Sequence, residues 1–144
     1  MSVSVLLADD SDVMRAAIAR LLKDEVSVQL VGEAMGFAET IQIAAALKPD
    51  VLLLDIHMSD ELDYPPALVK DQLLQNVKCI LAISVWNDEK AHALAESLGA
   101  KVLLDKANLY STLIPAIKHH CTSVPSESVP LFKASCPSAE ATSG

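Results

Sequence analysis

The chain has 144 residues, 51% of them hydrophobic, which is enough apolar material for one domain with a real core and excludes disorder along the whole length. Its net charge is −8 at pH 7 and no Lys/Arg cluster stands out, which argues against direct binding of DNA or RNA. No apolar run is long enough to cross a membrane, and Asp9, Asp10 and Asp12 interrupt the first apolar stretch where a secretory signal would need it unbroken.

Short apolar runs and longer segments with helical spacing alternate five times. "VSVLLA" (3–8) reads as a strand. The helix after it puts Met14, Ala17, Ile18 and Leu21 on one face, with Ser11 or Asp12 to cap its start. "VSVQLVG" (26–32) supplies a second strand, and Phe37, Ile41, Ala44 and Ala45 give the next helical stripe. "PDVLLLD" (49–55) is a third strand, begun by Pro49. Pro65 and Pro66 suit the first turn of a helix running through Leu73. "KCILAIS" (78–84) is the fourth strand, followed by Ala91, Leu94, Ala95 and Leu98 at helical spacing and a stop at Gly99. "KVLL" (101–104) is the fifth, and Leu109, Leu113, Ala116 and Ile117 mark the last helix. Pro115 moves the expected start of that helix toward Ser111 or Thr112.

From Thr122 onward the sequence is Ser/Pro-rich and aperiodic, which predicts a domain over 1–121 and a flexible tail over 122–144. Its one apolar island, 129–132, reads as solvated. The three cysteines (Cys79, Cys121 and Cys136) are odd in number and far apart. Cys79 lies in an apolar run and reads as a buried core thiol, which predicts a cytosolic, reduced protein.

Strands that are apolar throughout and alternate with helices imply an α/β fold, a parallel sheet covered on both faces. Right-handed crossovers place every strand C-terminus on one edge, where such sheets bind ligands. Asp9 and Asp10, Asp55, Ser84, and Asp105-Lys106 follow strands one, three, four and five. Capping and solvation explain each residue singly. Together they place three repelling carboxylates in one patch, an arrangement that a hard divalent cation or a proton relieves. "HHC" (119–121) reads as ordinary helix-end chemistry, because adjacent histidines on a helix point about 100° apart.

"LLADDSD", "PDVLLLD", "ILAIS" and "GAKVLLDK", in register with five βα units over residues 3 to about 120, resemble the receiver domain of two-component response regulators. "LVGEA" and "LKPDVLLLDIHM" further resemble receivers joined to helix-turn-helix output domains. The resemblance implies a five-stranded doubly wound sheet of flavodoxin-like (βα)5 type with strand order 2-1-3-4-5. It implies that Asp55 accepts a phosphoryl group from a histidine kinase, phosphotransfer protein or small phosphodonor. It implies Mg²⁺ held by Asp9, Asp10, Asp55 and the backbone carbonyl of His57, with Ser84 and Lys106 bonding the phosphoryl oxygens. Such a chain promotes only its own phosphorylation and dephosphorylation, is cytoplasmic, contacts no membrane, and signals to a downstream protein.

Departures from the family pattern set further expectations. Ser59 follows Met58 where a proline is common, and "DELDYPP" replaces the usual glycine, so this loop is expected to take a different path. Ala107 follows the lysine in place of proline, and Leu103 stands where a switching aromatic is expected. A pseudo-receiver that no longer responds to phosphate is the first rival. A flavin or nucleotide binder on the same topology is the second, and "DDSD" after strand one disfavours it by repelling phosphate.

Overall fold

A computed structural model describes residues 2–121 of the chain. The expected tail, its apolar island at 129–132 and Cys136 lie outside the described residues. Five parallel strands, β1 (Val3–Ala8), β2 (Val28–Ala34), β3 (Val51–Asp55), β4 (Cys79–Ser84) and β5 (Val102–Asp105), form one sheet in the order β2-β1-β3-β4-β5. Five helices connect or follow them: α1 (Asp12–Lys23), α2 (Phe37–Leu47), α3 (Pro66–Leu74), α4 (Glu89–Ser97) and α5 (Leu109–His120). This is the doubly wound order that the family resemblance implies.

The unbroken apolar strands follow from burial on both faces. Within β3, Leu52 and Leu54 pack into one apolar layer with Phe37, Ala44, Val69, Leu73, Ala91 and Ala95 of α2, α3 and α4. Val51 and Leu53 point the other way, into a layer closed by Ile18 and Leu22 of α1 and by Leu109, Leu113 and Ile117 of α5. Pairing of Asp55 with Ile83 and of Ser84 with Asp105 aligns the ends of β3, β4 and β5, so their polar termini emerge side by side. No helix among the described residues is long and apolar enough to cross a membrane.

Several details correct the expected boundaries. β2 starts at Val28, because Val26 is turned outward at 95% exposure and the pairing with β1 begins at Val28. In α1, Leu22 takes the buried place expected of Ala17, which is exposed. In α2, Thr40 is buried and Ala45 is not; the Thr40 hydroxyl donates to the Gly36 carbonyl, which removes the cost of burying it. α5 begins at Leu109 and carries Pro115 inside it. Pro115 cannot donate to the previous turn, yet Leu113, Ala116 and Ile117 on the buried face hold the helix together. α4 ends as expected, with Gly99 at φ 89° providing the left-handed turn.

The largest correction concerns the cysteines. Cys79 is buried, but it is not a free thiol: it is disulfide-bonded to Cys121, with the Cα atoms 5.5 Å apart. A helix that follows a parallel strand runs back toward the amino edge of the sheet. The end of α5 therefore returns to the start of β4, and residues 42 apart in sequence meet there. The expectation of a fully reduced protein fails on this pair.

Candidate functional site

At the opposite edge, each site residue is placed by the strand it follows. Asp9 leaves β1 fully buried, and its Oδ1 accepts a hydrogen bond from the Ser11 backbone N–H at 2.8 Å. Ser11 in turn caps α1, its hydroxyl accepting from the Met14 N–H at 3.2 Å. That settles the cap between the two expected candidates in favour of Ser11. Arg15 donates to the Asp9 carbonyl at 2.6 Å and to Glu33 Oε1 at 3.2 Å, and it also pairs with Asp12. The turn carrying the acidic pair is thus fixed from several sides.

Asp55 is buried at the end of β3, and its Oδ1 accepts from the His57 backbone N–H at 3.0 Å. Carboxylate oxygens of Asp9, Asp10 and Asp55 lie within 4.8 Å of one another, with Asp10 exposed on the solvent side. Lys106, in a short 3₁₀ turn after β5, puts Nζ 2.8 Å from Asp9 Oδ2 and 3.2 Å from Asp55 Oδ2. Asp9 Oδ2 has this close ion pair but accepts no well-directed hydrogen bond. A buried oxygen left with open lone pairs, beside two further carboxylates of which one faces solvent, suits a small hard cation that keeps part of its water shell.

The electrostatics follow from burial. Desolvation pushes the Asp55 carboxyl up from its ordinary 3.8 to about 6, against the opposing pull of the His57 N–H and Lys106, while Asp9 adds to the rise. Burial would lower the Lys106 ammonium, but its contacts with Asp9 and Asp55 outweigh that and hold it above its ordinary value. An ammonium that stays charged is thus the counter-ion of a crowded acidic pocket.

Ser84, buried at the end of β4, is not bonded to this cluster; its Oγ accepts from the Trp86 backbone N–H at 3.0 Å. Trp86 is 56% exposed and meets the His57 ring edge to face, with centroids 4.9 Å apart. The His57 Nδ1 lies 3.4 Å from Glu61 Oε2. Leu103 is nearly buried in β5 and packs with the layer under α2, α3 and α4, so it is a core residue at the position expected to hold an aromatic.

One residue that the sequence reading passed over organises the loop after β3. The Asp60 carboxylate accepts from the backbone N–H groups of Phe37 and Ala38 at 2.9 and 3.1 Å, capping α2 from 23 and 22 residues away. Gly36, which stands at the cap position of α2, has no side chain to do this, and a Cβ there would come within 2.9 Å of Asp60 Oδ2. A helix start without its own capping side chain was the only available signal. Ile56 and Met58 are buried and Asp60 is clamped to α2, so the loop is held at alternate residues despite lacking the usual glycine and proline. Asp60→Ala should cost about 1 kcal/mol of stability, measured by urea denaturation, while Asp60→Asn should cost less.

Comparison with known proteins agrees with this geometry. The family model described as the response regulator receiver domain matches residues 5–118. The transcriptional regulatory protein LiaR of Bacillus subtilis is 29% identical over 118 residues, covering 81% of this chain and 54% of that protein. The response regulator protein VraR of Staphylococcus saprophyticus is 28% identical over 120 residues, covering 82% and 56%. The chain therefore spans about half the length of these curated relatives. Among solved structures, the signal receiver domain of the putative response regulator NarL from Mycobacterium tuberculosis superposes with a TM-score of 0.71 at 27% identity, over 82% of this chain and 94% of that one. The response regulator domain of Thermotoga maritima CheB gives a TM-score of 0.72 at 20% identity, over 84% and 97%, a likeness of fold.

Proposed function

Since the chain belongs to the response regulator receiver family of two-component systems, we propose that Asp55 is its phosphoacceptor and that transfer depends on Mg²⁺. The observation that carries this reading is the meeting of Asp9, Asp55 and Lys106 within ion-pair distance at the carboxyl edge, with Asp10 beside them. The donor is a phosphohistidine of a histidine kinase or phosphotransfer protein, or a small acyl phosphate. An electron pair of the Asp55 carboxylate forms the new O–P bond as the donor's bond to phosphorus breaks, N–P toward the imidazole nitrogen of a phosphohistidine or O–P toward the departing carboxylate of an acyl phosphate. Asp9, Asp10, Asp55 and the His57 backbone carbonyl would hold Mg²⁺, which would supply the positive charge that lets a phosphate approach carboxylates. Lys106 then turns its ammonium to the phosphoryl oxygens, and the Ser84 hydroxyl leaves the Trp86 N–H to donate to the same group.

This receiver domain promotes its own phosphorylation and dephosphorylation, works in the cytoplasm, and passes its signal to another protein. Its net charge of −8 opposes direct contact with nucleic acid. The test is phosphoryl transfer from acetyl phosphate with and without Mg²⁺. Asp10→Asn should weaken Mg²⁺ binding, followed by Trp86 fluorescence, and slow labelling while leaving the fold intact. Unchanged Mg²⁺ affinity would remove Asp10 from the metal site.

The mixed anhydride on Asp55 is expected to be long-lived. In-line attack by water requires an unobstructed path, and the Trp86 indole braced against His57 supports a shield over it. Trp86→Ala should speed dephosphorylation by up to about tenfold, a barrier change near 1.4 kcal/mol. Equal or slower decay would refute the shield.

A further inference from the structure

The disulfide lies at the end of the molecule that the phosphoryl chemistry does not use. β4 begins at Cys79 and ends at Ser84, so the two sites sit at opposite ends of one six-residue strand. We infer that Cys79–Cys121 is a reversible redox site, opened by a dithiol reductant, which fastens and releases the last turn of α5.

Three observations carry this inference. First, the bond closes across a Cα separation of 5.5 Å, within the ordinary disulfide range, so neither closing nor opening requires the strand to move. Second, the two sulfurs differ in access: Cys79 is 2% exposed inside the apolar layer under α1 and α5, while Cys121 is half-buried at the helix end. An attacking thiolate reaches Cys121, and the sulfur that leaves is the one the core retains. Third, among the described residues the last turn is held mainly by polar contacts near the surface, besides a contact of Cys79 Sγ with the His120 carbonyl at 3.7 Å. Ile117 is the last fully buried residue of α5, and Lys118 and His119 are exposed. Beyond it, Cys121 N–H donates to the Ile117 carbonyl, Lys101 donates to the His120 carbonyl at 3.3 Å, and Lys118 lies 3.3 Å from Glu25. Exposed contacts of this kind hold a helix end weakly.

A permanent staple is what a small core requires, whereas this domain has two extensive apolar layers, of which only the one under α1 and α5 includes the two cysteines. The step balances as thiol–disulfide exchange. One thiolate of the dithiol attacks Cys121 Sγ, the Cys79–Cys121 bond breaks, and Cys79 leaves as a thiolate that takes up a proton. The second thiol of the reductant then attacks the mixed disulfide and frees Cys121. The dithiol loses two electrons and two protons overall, and the protein gains them as two thiols. Re-oxidation by a small disulfide reverses each step.

The test uses the full chain with Cys136→Ser, so that a third thiol cannot exchange. Peptide mapping after mild oxidation should find Cys79 joined to Cys121. Millimolar dithiothreitol without denaturant should open the bond while the circular dichroism stays that of the folded domain. Amide exchange over the last turn of α5 should then rise about tenfold or more, with β4 unchanged. Adding Cys121→Ser should give the fast-exchanging end at once and make it insensitive to the reductant. The inference is overturned if no Cys79–Cys121 link forms, if reduction needs unfolding, or if the last turn exchanges equally in both states. None of these readouts depends on Asp55 accepting phosphate.

Discussion

Lys106→Met should destabilise the metal-free protein by about 3 kcal/mol at pH 7.5. Lys106 is 11% exposed and is the only cation within ion-pair distance of both Asp9 and Asp55 among the described residues. Methionine preserves the length of the stem and removes the charge. Two buried carboxylates then face each other without a counter-ion, and breaking a buried pair from one side typically costs about 3–5 kcal/mol. The lower figure applies here because Asp55 can take up a proton and so limit the loss. Millimolar Mg²⁺ should recover much of the stability, since a cation at the acidic cluster replaces the missing charge. Urea denaturation with and without Mg²⁺ measures both effects. A loss under about half a kcal/mol would mean that Lys106 is not the counter-ion of the pocket.

Asp55→Asn should act in the opposite direction, raising the stability of the metal-free domain by up to about 3 kcal/mol above pH 7. Folding moves the Asp55 carboxyl from 3.8 to about 6, chiefly through desolvation, and a displacement of that size is worth roughly 3 kcal/mol. The folded state binds the proton more tightly than the unfolded one. The proton-linked stability is thus fully present below about pH 4 and is lost as pH rises through about 6. Above that range the wild type carries the full cost of a buried carboxylate, and asparagine does not. The advantage of the variant should therefore be largest above pH 7, shrink between pH 6 and 4, and be near zero below that range. In millimolar Mg²⁺ it should fall or reverse, because the variant has lost a ligand. A stability gap independent of pH would show that Asp55 is not held up by burial.

Much of the fold was legible because burial on both faces leaves a plain mark: β1, β3, β4 and β5 are largely apolar runs that end in Asp or Ser or, for β1, run directly into Asp9. Those terminal residues were also the signal for the site, since parallel strands bring their ends to one edge. What escaped were pairings between distant segments, on which local periodicity carries no information. Asp60 caps a helix 23 residues earlier, Arg15 of α1 reaches Glu33 of β2, and Cys79 finds Cys121 across 42 residues. The stripes of α1 and α2 were blurred for a different reason. Alanine fits a core or a surface equally well, so Ala17 and Ala45 could not be placed by pattern alone. Val26 misled in the same way, its side chain apolar but its backbone already in the turn before β2.

The central claim is that Asp55 carries the phosphoryl group. It is tested most directly by intact-mass analysis after incubation with acetyl phosphate and Mg²⁺. The wild type should gain one phosphoryl group that hydroxylamine removes, as an acyl phosphate requires, and chelation of Mg²⁺ should prevent the gain. Asp55→Asn should gain none under the same conditions. A wild type that stays unmodified in Mg²⁺, or an Asp55→Asn protein labelled as fully as the wild type, would contradict the assignment.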